Sequence, residues 1–170
     1  ANTLIRSGSK EIFIWAREES VMKSINSEGI NKVYLPDCQV LPGIFATNNL
    51  TDIFSKITFL VVPCQFLRQI VEEYSLVCKK FNQDTSQMTI VVCSKGIELN
   101  TLSLMSEVVR DVLPDINIAV LSGPTFAKEV ANGKPTAITL AADNQKFAKD
   151  LAVTFQSTNF RPYLSSDIIG

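Results

Sequence analysis

A doubly wound α/β fold on a mostly parallel sheet is the architecture this sequence predicts. Three observations lead to it. Short apolar runs rich in β-branched and aromatic residues recur at Ile12-Ala16, Thr58-Val62, Thr89-Cys93 and Ile116-Leu121, with a weaker one at Thr136-Ala141. They are too short for helices and mostly do not alternate, as strands covered on both faces should not. Helical patterns lie between them, and parallel neighbours need such crossovers to cover the sheet. The length of 170 residues, 46% of them hydrophobic, supports one domain with a substantial core.

Taken in order, Ala1-Gly8 reads as the last turns of a helix, with Gly8 as its C-terminal stop before the strand at Ile12. Asn31-Leu50, which contains Pro36, Pro42 and Gly43, is the most loop-like segment. In Gln65-Lys80 the positions Phe66, Leu67, Ile70, Val71, Tyr74, Val77 and Cys78 form one apolar stripe, while Arg68, Glu72, Glu73, Lys79 and Lys80 point away. Thr101-Leu113 repeats the pattern through Leu102, Met105, Val109 and Val112. Asn144-Phe155 does so through Phe147, Ala148, Leu151 and Phe155, with Asp143 as the expected N-cap. These stripes read as core faces. Phe160-Leu164 is a further short strand-like run.

Composition narrows the chemistry. The formal charge is -1, with 16 basic and 17 acidic residues interspersed, so no field of one sign draws in nucleic acid or an anionic bilayer. No apolar run approaches the ~20 residues of a bilayer span, and no signal peptide is evident, so a soluble protein is expected. Cys38, Cys64, Cys78 and Cys93 lie far apart, with no CxxC pair and no histidine, so no metal site is expected. Reduced thiols in a cytoplasmic protein are the expectation. The lack of histidine also excludes Ser-His-Asp and Cys-His nucleophilic catalysis, which leaves Lys, Asp, Glu, Tyr or Cys for acid-base work.

A doubly wound sheet works at the C-terminal ends of its strands. Three segments stand there: Trp15-Ala16-Arg17, Ser94-Lys95-Gly96-Ile97-Glu98, and Ser122 through Glu129, reading SGPTFAKE. With Tyr34-Leu35-Pro36 and Val61-Val62-Pro63 in their places between them, and Gly133 to Ala137 and Phe160 to Tyr163 after them, the whole chain resembles the NAD(P)-dependent glycerol-3-phosphate dehydrogenases. The KGIE and SGPTFAKE motifs are the specific part of that resemblance.

The resemblance implies a Rossmann-type domain over residues 1–170 that binds NAD or NADP. In the complete enzyme, a hydride would pass between the cofactor and dihydroxyacetone phosphate to give sn-glycerol 3-phosphate for phospholipid synthesis. Carried over residue by residue, it implies cofactor contacts at Arg17, Tyr34, Lys95 and Ala127 and substrate contacts at Lys95, Gly123 and Thr125. Lys95 would act as an electrostatic, orienting group, since an ammonium stabilises a developing alkoxide or a phosphate without giving up its proton. Arginine at position 17, where NAD-selective sites carry an acidic residue, points to acceptance of NADPH. Pro124 is expected to start the helix that follows.

The resemblance further implies that the family's first strand and glycine-rich turn precede Ala1 and that its helical C-terminal domain with the general-base lysine follows Gly170; in the doubly wound order that first strand would lie in the sheet with the runs Ile12-Ala16 and Thr58-Val62 as its neighbours. The 170-residue chain by itself is then expected to be inert. The partner is a small molecule, with a homo-oligomer possible. Two other readings stay open: a related dehydrogenase for a hydroxy acid or sugar acid, and a non-catalytic nucleotide-binding module.

Overall fold

A computed structural model describes residues 1–169; Gly170 lies outside the described residues. The chain divides into two compact units. The first comprises residues 1–53, 123–138 and 149–163, and the second comprises residues 54–122, 139–148 and 164–170.

The first unit opens with helix α1 (Asn2–Arg6), which stops as expected. Gly8 takes φ +101, its N–H donates to the Ile5 carbonyl, and the Ser9 N–H donates to the Leu4 carbonyl. That left-handed step closes the last turn at a position where a side chain would be strained. Strand β1 (Ile12–Trp15) follows, then helix α2 (Glu19–Glu28), which ends at Gly29 with φ +65.

Here the loop-like reading of Asn31-Leu50 needs correction, because the segment holds the second residue of β2 (Ile30–Asn31) and all of β3 (Leu35–Gln39) and β4 (Ile44–Thr47). β4 lies parallel to β1, with Ile12 opposite Ile44 and Trp15 opposite Thr47. Ile44-Phe45-Ala46 is too brief to stand out among prolines and glycines, and its strand state is decided by β1 and α2. Ala16, Val21, Ile25 and Ala46 bury together. The Asn26 side chain both accepts from the Ala46 N–H and donates to its carbonyl, each at 2.8 Å, and so satisfies a backbone edge from the helix above it.

Helix α5 (Ala127–Ala131) is fastened to this unit from α1. The Arg6 guanidinium donates to the carbonyls of Val130 and Ala131, and the buried Asn2 amide donates to those of Gln39 and Ala131. Cations and donors at a helix C-terminus satisfy carbonyls the helix cannot. Pro124 does not start this helix, as the sequence suggested; Ala127 does. The Thr125 N–H instead donates to the Gly123 carbonyl, a tight turn that delays helix entry.

The second unit carries β5 (Ile57–Leu60), helix α3 (Cys64–Lys80), β6 (Thr89–Val92), helix α4 (Met105–Val112) and β7 (Asn117–Ser122). β5, β6 and β7 run parallel and in register from Ile57, Thr89 and Asn117. β8 (Thr136–Ala141) turns antiparallel to β7, with Val120 opposite Ala141, and β9 (Phe160–Ser165) follows it in the sheet order. The sheet is thus mostly parallel. Among the described residues, β1 and β4 form one parallel ladder and β5 to β9 another sheet.

Leu67, Val71, Ile90, Val91, Val92, Val108, Val109 and Leu140 are almost wholly buried. Each such side chain contributes about 1.5–3 kcal/mol from its burial.

Four local expectations change in this unit and beside it. Phe66 is exposed and lies off the buried stripe of α3. Arg68, expected in solvent, is engaged by Glu98 and Asp111. The helix expected from Thr101 begins only at Met105; Leu102 takes φ +58 and is exposed, so its apparent place in the stripe is accidental. Helix α6 (Gln145–Phe155) is capped by Asn144, whose side chain accepts from the Lys146 and Phe147 N–H groups, while Asp143 pairs with Arg110. All four cysteines are free thiols; Cys38 and Cys78 are buried, whereas Cys64 and Cys93 are half-buried.

Candidate functional site

In the second unit, the ends of β5 and β6 each release a turn. Val61-Val62-Pro63 leads into α3, and Ser94 through Glu98 leads towards α4. The Ser94 hydroxyl donates to the Val62 carbonyl and ties the two turns together. Cys93, at the base of the second turn, has its thiol pushed up to about 12 by burial and is therefore no thiolate at neutral pH.

Within the KGIE sequence each residue after the lysine is engaged. Gly96 takes φ +124, a conformation that favours glycine, and a Cβ added there would press on the Cys64 sulfur at 3.0 Å. The Ile97 carbonyl accepts from the Gln65 side chain at 2.8 Å, and the same amide's oxygen accepts from the Leu99 N–H at 3.1 Å. Glu98, only 8% exposed, accepts a two-pronged bond from Arg68 at 2.8 and 2.9 Å and a third bond from the Thr101 hydroxyl. The guanidinium, then the hydroxyl, hold the Glu98 carboxyl below its usual range, and Glu98 raises Arg68 in return. Lys95 is exposed at the head of this turn.

Sequence reasoning found Lys95 and missed Gln65, Arg68 and Thr101. The available signal was the spacing of Gln65 and Arg68 by three, which puts both on one face of α3.

In the first unit, Arg17 is exposed just past β1. Tyr34 is exposed too, and its hydroxyl donates to a Glu18 carboxylate oxygen at 2.8 Å, which raises the phenol above its ordinary value. The structure thus brings Tyr34 to the residue beside Arg17, which sequence spacing had not suggested. An exposed guanidinium with a phenol nearby fits the phosphate and ribose of a dinucleotide's adenosine end.

The SGPTFAKE segment contributes Gly123, Thr125 and Ala127 to the same unit. Gly123 is half-buried, and a Cβ there would meet Ile138 at 3.2–3.3 Å. Thr125 is half-buried and Ala127 exposed. Lys128 forms a 2.7 Å ion pair with Asp37 of β3, which raises the lysine and lowers the carboxyl, and so links this segment to the strand that follows Tyr34.

Among the described residues no helix is long and apolar enough to cross a membrane.

The chain as a whole has counterparts among known proteins. A model of the family described as NAD-dependent glycerol-3-phosphate dehydrogenase N-terminus matches residues 1–148. Glycerol-3-phosphate dehydrogenase [NAD(P)+] of Novosphingobium aromaticivorans is 40% identical over 169 residues, which are 98% of this chain and 48% of that protein. The protein of the same name from Paramagnetospirillum magneticum is 39% identical over 97% of this chain and 58% of its own length. The crystal structure of glycerol-3-phosphate dehydrogenase from Coxiella burnetii superposes with a TM-score of 0.86 at 28% identity, covering 98% of this chain and 50% of that one. The chain spans about half the length of the curated relatives it matches. On the family model and on the identity sustained along its length, the chain belongs to the NAD-dependent glycerol-3-phosphate dehydrogenase family, whose N-terminal domain it represents.

Proposed function

We propose that this chain is a nucleotide-binding Rossmann domain of a glycerol-3-phosphate dehydrogenase. In the full-length protein it serves the interconversion of dihydroxyacetone phosphate and sn-glycerol 3-phosphate with NADH or NADPH. The observation that carries this reading is Lys95, an exposed cation past the end of β6, in a turn that Gln65, Arg68 and Gly96 hold in place.

Bound cofactor supplies the hydride. This chain's residues bind and orient. Arg17 grips the phosphate on the adenosine side, and its charge suits the extra phosphate of NADPH. Tyr34, held by the Glu18 carboxylate next in sequence to Arg17, contacts the cofactor there, and Ala127 offers it a small surface. Lys95 places its ammonium at the substrate oxygen, where negative charge grows as a carbonyl is reduced, and contacts the nicotinamide nucleotide as well. Gly123 lets backbone approach the substrate, and the Thr125 hydroxyl provides an adjustable donor. The partner is a small molecule, and free thiols suit a cytoplasmic setting.

The test is turnover by the full-length protein of dihydroxyacetone phosphate against a 2-keto acid and a keto sugar acid, each with NADH and with NADPH. The expected outcome is activity confined to the triose phosphate, with NADPH accepted. Preferential turnover of either acid would transfer the protein to a different dehydrogenase class. Tight dinucleotide binding with no turnover of any of them would make it a binding module.

A further inference from the structure

Lys95 and Glu98 are separated by two residues, one of which is Gly96 at φ +124. Glycine at such a φ is a joint, because no side chain restricts its rotation. Lys95 lies on one side of the joint, and on the other is a dense anchor built on the buried Glu98. Arg68 forks onto Glu98, the Thr101 hydroxyl adds a third bond, and Arg68 reaches Asp111 of α4 at 3.2 Å. The Glu98 N–H donates to the Ser103 carbonyl and the Leu102 N–H to the Glu98 carbonyl, each at 2.9 Å.

A buried ion pair is a poor way to gain stability, because desolvation offsets most of the attraction and an apolar pair of similar volume does as well. What a forked pair provides is a fixed direction and register. Helix α3 commits two side chains, Gln65 and Arg68, to this one turn, so what they secure is geometry.

We infer that Arg68 is a positioning residue for Lys95: its forked hold on Glu98 braces the turn after β6 against rotation at Gly96 and so aims the Lys95 ammonium. The inference rests on the role assigned to Lys95 above. Displacing a catalytic group by about 1 Å costs on the order of 10²-fold in rate.

The experiment compares Arg68→Gln, Arg68→Lys, Lys95→Ala and the double variant Lys95→Ala/Arg68→Gln in the full-length protein, with kcat, KM and the pH profile measured for each. Arg68→Gln should lower kcat roughly 10- to 100-fold while leaving the cofactor KM within about 3-fold. Arg68→Lys should recover part of the loss, since an ammonium restores the charge and one bond but not the fork. In the double variant Arg68→Gln should add almost nothing to Lys95→Ala, because residues acting through one group are non-additive.

The pH profile provides an independent readout. The charged groups facing Glu98 are Arg68 from α3 and, through it, Asp111 from α4, with the Thr101 hydroxyl completing the set. Arg68 holds the Glu98 carboxyl low, so its removal lets Glu98 take up a proton at higher pH, and the acid limb of kcat should move to higher pH in Arg68→Gln.

Near-normal kcat in Arg68→Gln, an unmoved acid limb, or full additivity with Lys95→Ala would overturn the inference. If Arg68→Gln fails to fold, Thr101→Val decides: it removes one bond to Glu98 and should still lower kcat about 3- to 10-fold without adding to Lys95→Ala, and full activity would refute the bracing role. Full activity in Lys95→Ala would remove the role of Lys95 and this inference with it. That outcome differs from an impaired Lys95→Ala beside a fully active Arg68→Gln, which refutes the bracing alone.

Discussion

The turn after β6 and the segment after β7 each follow a parallel strand and each carry a specific motif, yet they are built by opposite means. The first is locked from within: Glu98 is 8% exposed and forked by Arg68, Gln65 clamps two backbone groups, and Gly96 sits against Cys64. The second is held from outside. Its ion pair, Lys128 with Asp37, has both side chains at least 60% exposed, Phe126 is exposed, and α5 has only five residues. A motif therefore does not announce which of its residues act. In KGIE, Gly96, Ile97 and Glu98 hold the turn, and Lys95 is exposed at its head. In SGPTFAKE most of the letters face outward, and what restrains them is the Gly123 turn and the contact with Ile138.

Lys95→Ala should produce the largest effect, a loss of about 10²–10³-fold in kcat of the full-length protein with an unchanged melting transition, as removal of one preorganised electrostatic group does. If the variant unfolds, Lys95 belongs to the scaffold like its neighbours and the contrast collapses.

The two glycines sharpen the comparison. Gly96→Ala places a Cβ at a φ that side chains avoid and 3.0 Å from sulfur, so urea denaturation should show a loss of about 2 kcal/mol. Gly123→Ala meets the Ile138 side chain at 3.2 Å, its Cα at 3.3 Å and the Ala137 carbonyl oxygen at 3.4 Å, without a left-handed φ, and should cost about 1 kcal/mol, because these neighbours have to give by a few tenths of an ångström. A larger loss at Gly123 would reverse the assignment of the tighter site.

The smallest effect belongs to Lys128→Ala. An exposed pair is screened by salt, so its slight effect on melting temperature should vanish at high ionic strength. Its pH window follows from the directions of the shifts. Asp37 is lowered, so its contribution is present above the ordinary carboxylate range and lost as pH falls through the depressed value. Lys128 is raised, so the pair is intact below the ordinary lysine range and lost as pH rises through the raised value. A salt-independent loss would mean that the segment is anchored more like the KGIE turn than the exposure of its ion pair suggests.

Much of this molecule is legible in its sequence alone, and the reason is periodicity. The apolar runs at β1, β5, β6 and β7 and the stripe of α3 depend only on which residues recur at which spacing, and removal of apolar surface from water is what chiefly drives such segments to fold. The stop at Gly8 is legible because a left-handed residue favours glycine whatever the surroundings. Lys95, Arg17, Gly123 and Thr125 lie in segments that follow strand ends, and within those segments the resemblance to the family singled them out. Tertiary structure alone decided the rest. β4 became a strand because β1 and Asn26 satisfy its backbone. Arg68 left solvent for Glu98, Leu102 was expelled from a helix its hydrophobicity suggested it would join, and Asn144 took the cap expected of Asp143. In each of these the deciding partner is a polar group or strand that local pattern does not name, and such pairings have no period to betray them.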